Sequence, residues 1–173
     1  PIGTGIITTA GKQGTVPKSV HDEAIRIMSS LNREASEAMI ESGANACSDI
    51  TGFGLMGHLR EMVEGAGVSA EIQLSKIPVI DGTFDLLCQG IAPGGTSRNL
   101  DSLHDSVEWS DGISENDKLL LCDAQTSGGL LISIQPSKVP NLLSSLVKRG
   151  VFNSKVIGTI IEPVAPPKIT VKT

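Results

Sequence analysis

The chain has 173 residues, a formal net charge of -5, 39% apolar residues and 19% charged ones. That balance fits one globular domain with a real core and excludes a disordered chain. The acidic excess, with no Lys/Arg block, argues against a general nucleic-acid surface, and no apolar run is long enough for a membrane helix.

In chain order, Ile2 to Thr9 is β-branched and followed by Gly11, which predicts a strand. A turn with Gly14 and Pro17 leads into a predicted long helix over Lys18 to Glu41. Its apolar face steps through Val20, Ala24, Ile27, Leu31, Ala35 and Ala38, which places Leu31 on the buried side. Ser19 is its candidate cap, with Asp22 three residues on, and Gly43 its stop. Asp22, Glu23, Glu34 and Glu37 read as its solvated face.

Cys47 to His58 then reads as a strand end, a glycine turn and a helix start. From Leu55 the spacing turns helical, with Leu55, Leu59, Met62 and Val63 on one face and an end near Gly65 or Gly67. Ala70, Ile72 and Leu74 alternate as a half-buried strand. Ile77 to Gly90 reads as a short helix around Phe84 to Leu87, closed by Gly90, and Ala92 to Asn99 is a loop by composition. A strand is expected near Val107 to Trp109. Ser114 caps a helix through Leu121, with Asp117 at the third position.

A second small-residue loop, Asp123 to Gly129, runs into the apolar strand Leu130 to Ile134. An amphipathic helix begins at Ser137, with Val139, Leu142, Leu143, Leu146 and Val147 inward and Gly150 as its stop. The last strands are Val156 to Ile161 and Lys168 to Val171, split by the proline-rich link Pro163 to Pro167. This order predicts a single-domain α/β sandwich with a mixed sheet flanked by helices.

The turn at Cys47 to His58 carries the chemistry best. Asp49 is its one carboxylate, and Thr51, Gly52 and Gly54 surround it with small groups. A carboxylate beside exposed amides at a helix start suits a hard cation or a phosphate. The plainer alternative is that Asp49 or Thr51 is an N-cap. Thr126, Ser127, Gly128 and Gly129 are possible neighbours of a phosphate or substrate cleft, against ordinary turn chemistry before a buried strand. P-loop, dinucleotide-fingerprint and serine-hydrolase patterns are not met. His58 is a helix-packing or capping residue before it is a base. Three cysteines, odd in number and widely spaced, read as reduced thiols in an intracellular chain, and Cys47 reads as a buried, inert strand residue, the alternative being a thiol exposed near a cation. The chain starts at Pro1 without a methionine or signal peptide, as a piece of something longer would.

Taken together, SDITGFGLMGH, GGTSRN, DAQTSGGLLISI and VIGTI resemble, in that order, the C-terminal half of selenophosphate synthetase (selenide, water dikinase), and PIGTGIITTA resembles the strand where that half begins. The resemblance spans nearly the whole chain. It implies a cytoplasmic homodimer that makes selenophosphate, AMP and phosphate from ATP, selenide and water, with Mg²⁺ and assistance from K⁺. It implies that ATP is held mostly by an N-terminal domain absent from this chain, with the nucleophilic Cys or Sec and its lysine. No catalytic residue is therefore expected here, and Cys47, Cys88 and Cys122 do not match the nucleophile's motif. The one metal ligand that maps onto this chain is Asp49. The alternatives are the C-terminal domain of another enzyme of the same ATP-binding superfamily, or a structural or interaction domain.

Overall fold

The structure is a computed structural model describing residues 1–163 and 165–173; the expected link Pro163 to Pro167 includes Val164, which lies outside them. The chain forms helices α1 (Thr4–Gln13), α2 (Lys18–Ser29) and α3 (Arg33–Ser42), then strand β1 (Ala46–Asp49) and helix α4 (Gly54–Ala66). Strand β2 (Ser69–Gln73), α5 (Thr83–Cys88), α6 (Gly94–Asp101), β3 (Val107–Trp109) and α7 (Glu115–Leu121) follow. Strand β4 (Leu130–Ser133), α8 (Val139–Lys148), β5 (Gly158–Ile161) and β6 (Ile169–Lys172) complete it.

The strands form two sheets. One is mixed, in the order β3-β6-β2-β5, with β2 antiparallel to β5 and the other pairs parallel. The other is the antiparallel pair β1-β4, in which Asp49 lies opposite Leu130. The fold is thus the expected α/β arrangement, a mixed sheet flanked by helices, with a second small sheet beside it. The main core gathers Ile6, Ile7, Met56, Leu121, Ile169 and Val171, all fully buried. A separate small core of Ala38, Leu142 and Leu146 joins α3 to α8 over the β1-β4 pair.

The helix expected over Ile77 to Gly90 is confined to α5, and Leu74 lies just past β2 in a short 3-10 turn. Three further expected elements differ in kind. Ile2 to Thr9 is not a strand: α1 occupies it from Thr4, although Ile6, Ile7, Thr8 and Thr9 all favour strands. The helix has no local side-chain cap, and Gly3 precedes it. Its first three amides are satisfied from across the molecule. Gln125 Oε1 accepts from Thr4 N–H at 3.1 Å, and Asp123 Oδ2 accepts from Gly5 and Ile6 N–H at 3.1 and 3.3 Å. Distant acceptors therefore supply the partners that a lone helix start lacks.

The expected long helix is two. Ser30 is extended (φ -77°, ψ 130°), and α3 starts afresh at Arg33. Ala24 packs in the main core and Ala38 in the small one, so the two halves serve different cores. Leu31 lies in the break and is 85% exposed, not buried. Ser19 does not cap α2; its N-cap is Pro17. Glu34 and Glu37 are not merely a solvated face. With Glu41 they hold Arg149, beyond α8, at 3.2, 2.9 and 2.6 Å.

The expected loop over Ala92 to Asn99 is largely α6, which starts at Gly94 despite two glycines. Thr96 and Asn99 on it are tied to the Asp123 loop, as described below, and this tertiary anchoring outweighs the weak propensity. The capping box of Ser114 and Asp117 is present, and Gly43 and Gly67 end α3 and α4 in the left-handed conformation. Val147, expected inward on α8, is 54% exposed, while Leu142 and Leu146 are buried. Among the described residues no helix is long and apolar enough to cross a membrane.

Candidate functional site

The site grows from the end of β1. Asp49 is the last residue of that strand and is exposed, and among the described residues no group donates a hydrogen bond to its carboxylate. Neither Asp49 nor Thr51 caps α4: the N-cap position is Phe53, and no side chain bonds there. The turn between them is held by backbone and by one histidine. Ile50 N–H donates to Gly129 O at 2.9 Å, Gly128 N–H to Ile50 O at 3.1 Å, and Gln125 N–H to Thr51 O at 3.0 Å.

His58 is buried one turn into α4. Its Nε2 accepts from Thr51 N–H at 3.1 Å and lies 3.0 Å from the Thr51 hydroxyl. Because Nε2 must accept, the ring proton belongs on Nδ1, which faces Glu61 Oε2 at 3.2 Å. The imidazole thus caps the turn rather than a helix end, and the exposed Phe53 ring lies against it with centroids 5.7 Å apart.

Two glycines are required by contact. Gly54 has φ +70°, and a Cβ there would come within 2.8 Å of the Cys122 carbonyl oxygen. At Gly128 a Cβ would stand 2.4 Å from Ile50 O. Both positions let the Asp123 to Gly129 loop lie directly on the turn after Asp49.

Beneath these loops sits a buried polar knot. Asp123 is fully buried, and besides the α1 amides it receives Gln125 Nε2 at 2.7 Å and the Thr96 hydroxyl at 3.3 Å. Gln125 Oε1 also accepts from Gly3 N–H at 3.0 Å and Thr4 Oγ1 at 3.0 Å. Thr4 Oγ1 in turn accepts from Thr126 N–H at 3.0 Å. Asn99 Nδ2 donates to Gly52 O at 2.9 Å and Cys122 O at 3.0 Å, and Asn32 Nδ2 donates to Gly128 O at 2.8 Å. Burial pushes the Asp123 carboxyl up to about 6, against the pull of the Gln125, Ile6, Gly5 and Thr96 donors.

The structure therefore joins the loop carrying Thr126, Ser127, Gly128 and Gly129 to the turn carrying Thr51 and Gly52 through backbone bonds at Ile50 and Thr51. Gly52, Thr126, Ser127 and Gly129 are exposed, Thr51 is half-buried, and Gly128 is buried against Ile50. Ser127 adopts φ +50°, the one positive φ at a non-glycine among the described residues. Among the described residues no group of three or more metal-binding side chains is found, and Asp49 stands as a single carboxylate. One exposed, unpartnered carboxylate fits a share of a Mg²⁺ site whose other ligands are phosphate oxygens, water or a second carboxylate. Cys47 is exposed rather than buried, which corrects the expectation for it. Residual desolvation, and then the charge of Asp49, hold its thiol above the ordinary range, unlike an activated nucleophile. Residue reading alone did not assign Asp123, Gln125, Thr4, Thr96 or Asn99. The available signal was polar side chains set inside apolar surroundings.

The fold and this set of loops define a domain class: residues 3–165 match the family "AIR synthase related protein, C-terminal domain", and the chain belongs to it. Within that class the chain is similar to curated selenide, water dikinases. It is 44% identical over 163 residues to the one from Geobacter metallireducens, covering 94% of this chain and 47% of that protein. It is 40% identical over 156 residues to that of Carboxydothermus hydrogenoformans, covering 90% of this chain and 45% of the relative. The chain thus spans about half the length of these relatives. The crystal structure of hydrogenase maturation protein HypE shares the fold, with a TM-score of 0.59 at 15% identity over 93% of this chain and 42% of that one.

Proposed function

We propose that this chain is the C-terminal part of an ATP-dependent enzyme that forms selenophosphate from selenide and water, releasing AMP and phosphate. The observation that carries the reading is its identity to selenide, water dikinases over nearly its whole length. The exposed Asp49 carboxylate, set in a turn rigidified by His58 and the Asp123 loop, gives that reading a place in the chemistry.

In this reading the N-terminal domain of the same protein supplies the nucleophile and most of the ATP contacts, and the whole enzyme is a cytoplasmic homodimer. Mg²⁺, with K⁺ assisting, offsets the charge of the ATP phosphates when bound. Asp49 contributes one oxygen ligand from the wall opposite the N-terminal domain. Thr51, Gly52 and Thr126 to Gly129 shape the cleft next to it. His58 keeps the turn rigid by occupying the Thr51 amide, so the carboxylate is preorganised.

The test is Asp49→Asn in the full-length enzyme, assayed for selenophosphate and AMP at ordinary Mg²⁺. Asn keeps the shape and removes one negative charge. Turnover is expected to fall about a hundredfold or more, beyond the roughly 10–100-fold typical of partners one shell further out. Urea unfolding should be unchanged, because among the described residues the carboxylate has no hydrogen-bond donor to lose. Normal selenophosphate formation by that variant would end the ligand assignment.

A further inference from the structure

The two sheets do not join. β4 is bonded only to β1, and β5 is the outer strand of the mixed sheet, bonded only to β2. Between them lies an apolar cleft of about 480 Å³. Consecutive residues line it on both sides, Gly128 through Ile134 on one and Asn153 through Ile160 on the other. A cleft over the face of a sheet would meet alternate residues only. Within the strands themselves the successive residues Leu130 to Ser133 of β4 and Gly158 to Ile160 of β5 line it, so it meets both strands edge-on.

The ladders show which backbone groups face it. Ile50 N–H bonds to Gly129 O, so residues 129, 131 and 133 turn toward β1 and Leu130 and Ile132 turn away. Gln73 N–H bonds to Ile157 O, so residues 157, 159 and 161 turn toward β2 and Gly158 and Ile160 turn away. Two facing edges thus present open amides and carbonyls. Leu55, Leu59 and Met62 of α4 and Leu142, Leu143 and Leu146 of α8 also line the space.

Pro1 and Ile2 line the same cleft, and Ile2 is fixed there by a parallel bridge to Val79. The relatives are about twice as long as this chain. We infer that in the full-length protein the segment immediately ahead of Pro1 fills the cleft as an extended strand, pairing with β4 on one side and β5 on the other. The two sheets then become one, in the order β1-β4-inserted strand-β5-β2-β6-β3.

Being tethered at the cleft, this segment needs no diffusional encounter, which favours it over a second copy or a separate peptide. Covered by helices on both faces, it should be a near-continuous apolar run of about four to eight residues, as buried strands are. The inserted strand also lies against Gly128 and Gly129, behind the loop that supports Asp49. The inference rests on the sheet edges and stands whether or not Asp49 binds a metal.

Amide hydrogen exchange on the full-length protein tests it. The amides of Leu130, Ile132, Gly158 and Ile160 that face the inserted strand, and alternate amides ahead of Pro1, are expected to exchange about a hundredfold or more slowly than in an unstructured chain. In the 173-residue chain those cleft-facing amides should be fast while those of Leu131 and Thr159 stay slow. Fast exchange ahead of Pro1 in the full-length protein overturns the inference, whatever the shorter chain does. Protection that appears only at high protein concentration overturns it in favour of a second copy. Slow exchange of the four edge amides in the 173-residue chain overturns it too, because β4 and β5 would then pair directly.

Discussion

Asp123 is the residue on which most of the site's neighbours converge. Its folded carboxyl, at about 6, lies above the ordinary value of 3.8 because burial penalises the charge more than its donors favour it. The folded state therefore binds this proton more tightly than the unfolded chain does. Between about pH 4 and pH 6 the native state carries more protons at this position, so the contribution of Asp123 to stability falls as pH rises through that window and is level above it. The size is on the order of 3 kcal/mol. Glu23 and Glu37, held low first by their hydrogen bonds to Arg26 and Arg33, act in the opposite direction: their contribution is lost as pH falls below the ordinary carboxylate range. Urea unfolding of the chain should therefore show a loss of stability from pH 4.5 to 6.5 that Asp123→Asn abolishes. An equal slope in the variant would show that another group sets it.

At the scale of elements, the break between α2 and α3 separates two kinds of leucine. Leu31 sits in it at 85% exposure, whereas Leu142 of α8 is 5% exposed in the small core. Leu31→Ala should change stability by less than about 0.5 kcal/mol, the range of surface substitutions. Leu142→Ala should cost about 2–5 kcal/mol, because it leaves a cavity between α3, α8 and β4. Denaturant titration of the two variants checks the pair, and a large loss at Leu31 would mean that something covers the break. The break itself has a use: it lets Asn32 turn its amide onto Gly128 O, so a helix junction steadies the loop behind Asp49.

At the scale of the whole molecule, the proposed function makes the candidate site one wall of a larger one. Asp49 is the single unpartnered carboxylate on it, and the chain covers 47% of a relative such as the Geobacter metallireducens enzyme. A lone carboxylate holds Mg²⁺ weakly, since the ion gives up water reluctantly. We expect the 173-residue chain to release no AMP from ATP with selenide under conditions in which the full-length protein turns over. Selenide-dependent AMP release by the shorter chain would sink the view that the missing half carries the nucleophile.

Local sequence determined those elements whose signals are local. The helix after Leu55, the Ser114 capping box, the glycine stops at Gly43 and Gly67 and the strands at Ala70 and Leu130 follow from spacing and caps, which need no partner across the fold. The turn at Asp49 and the small-residue loop at Thr126 to Gly129 were legible too, because glycine clusters mark close backbone approach. Tertiary structure decided the rest. The β-branched stretch after Pro1 became a helix only because Asp123 and Gln125 satisfy its first amides. Two glycines and a threonine in Gly94 to Thr96 became helical within a segment tied down through Thr96 and Asn99. One periodic run became two helices because its halves face different cores. In each case the deciding hydrogen bonds or contacts join residues roughly twenty to more than a hundred positions apart. No window of local propensity contains both partners, and only folding brings them within reach.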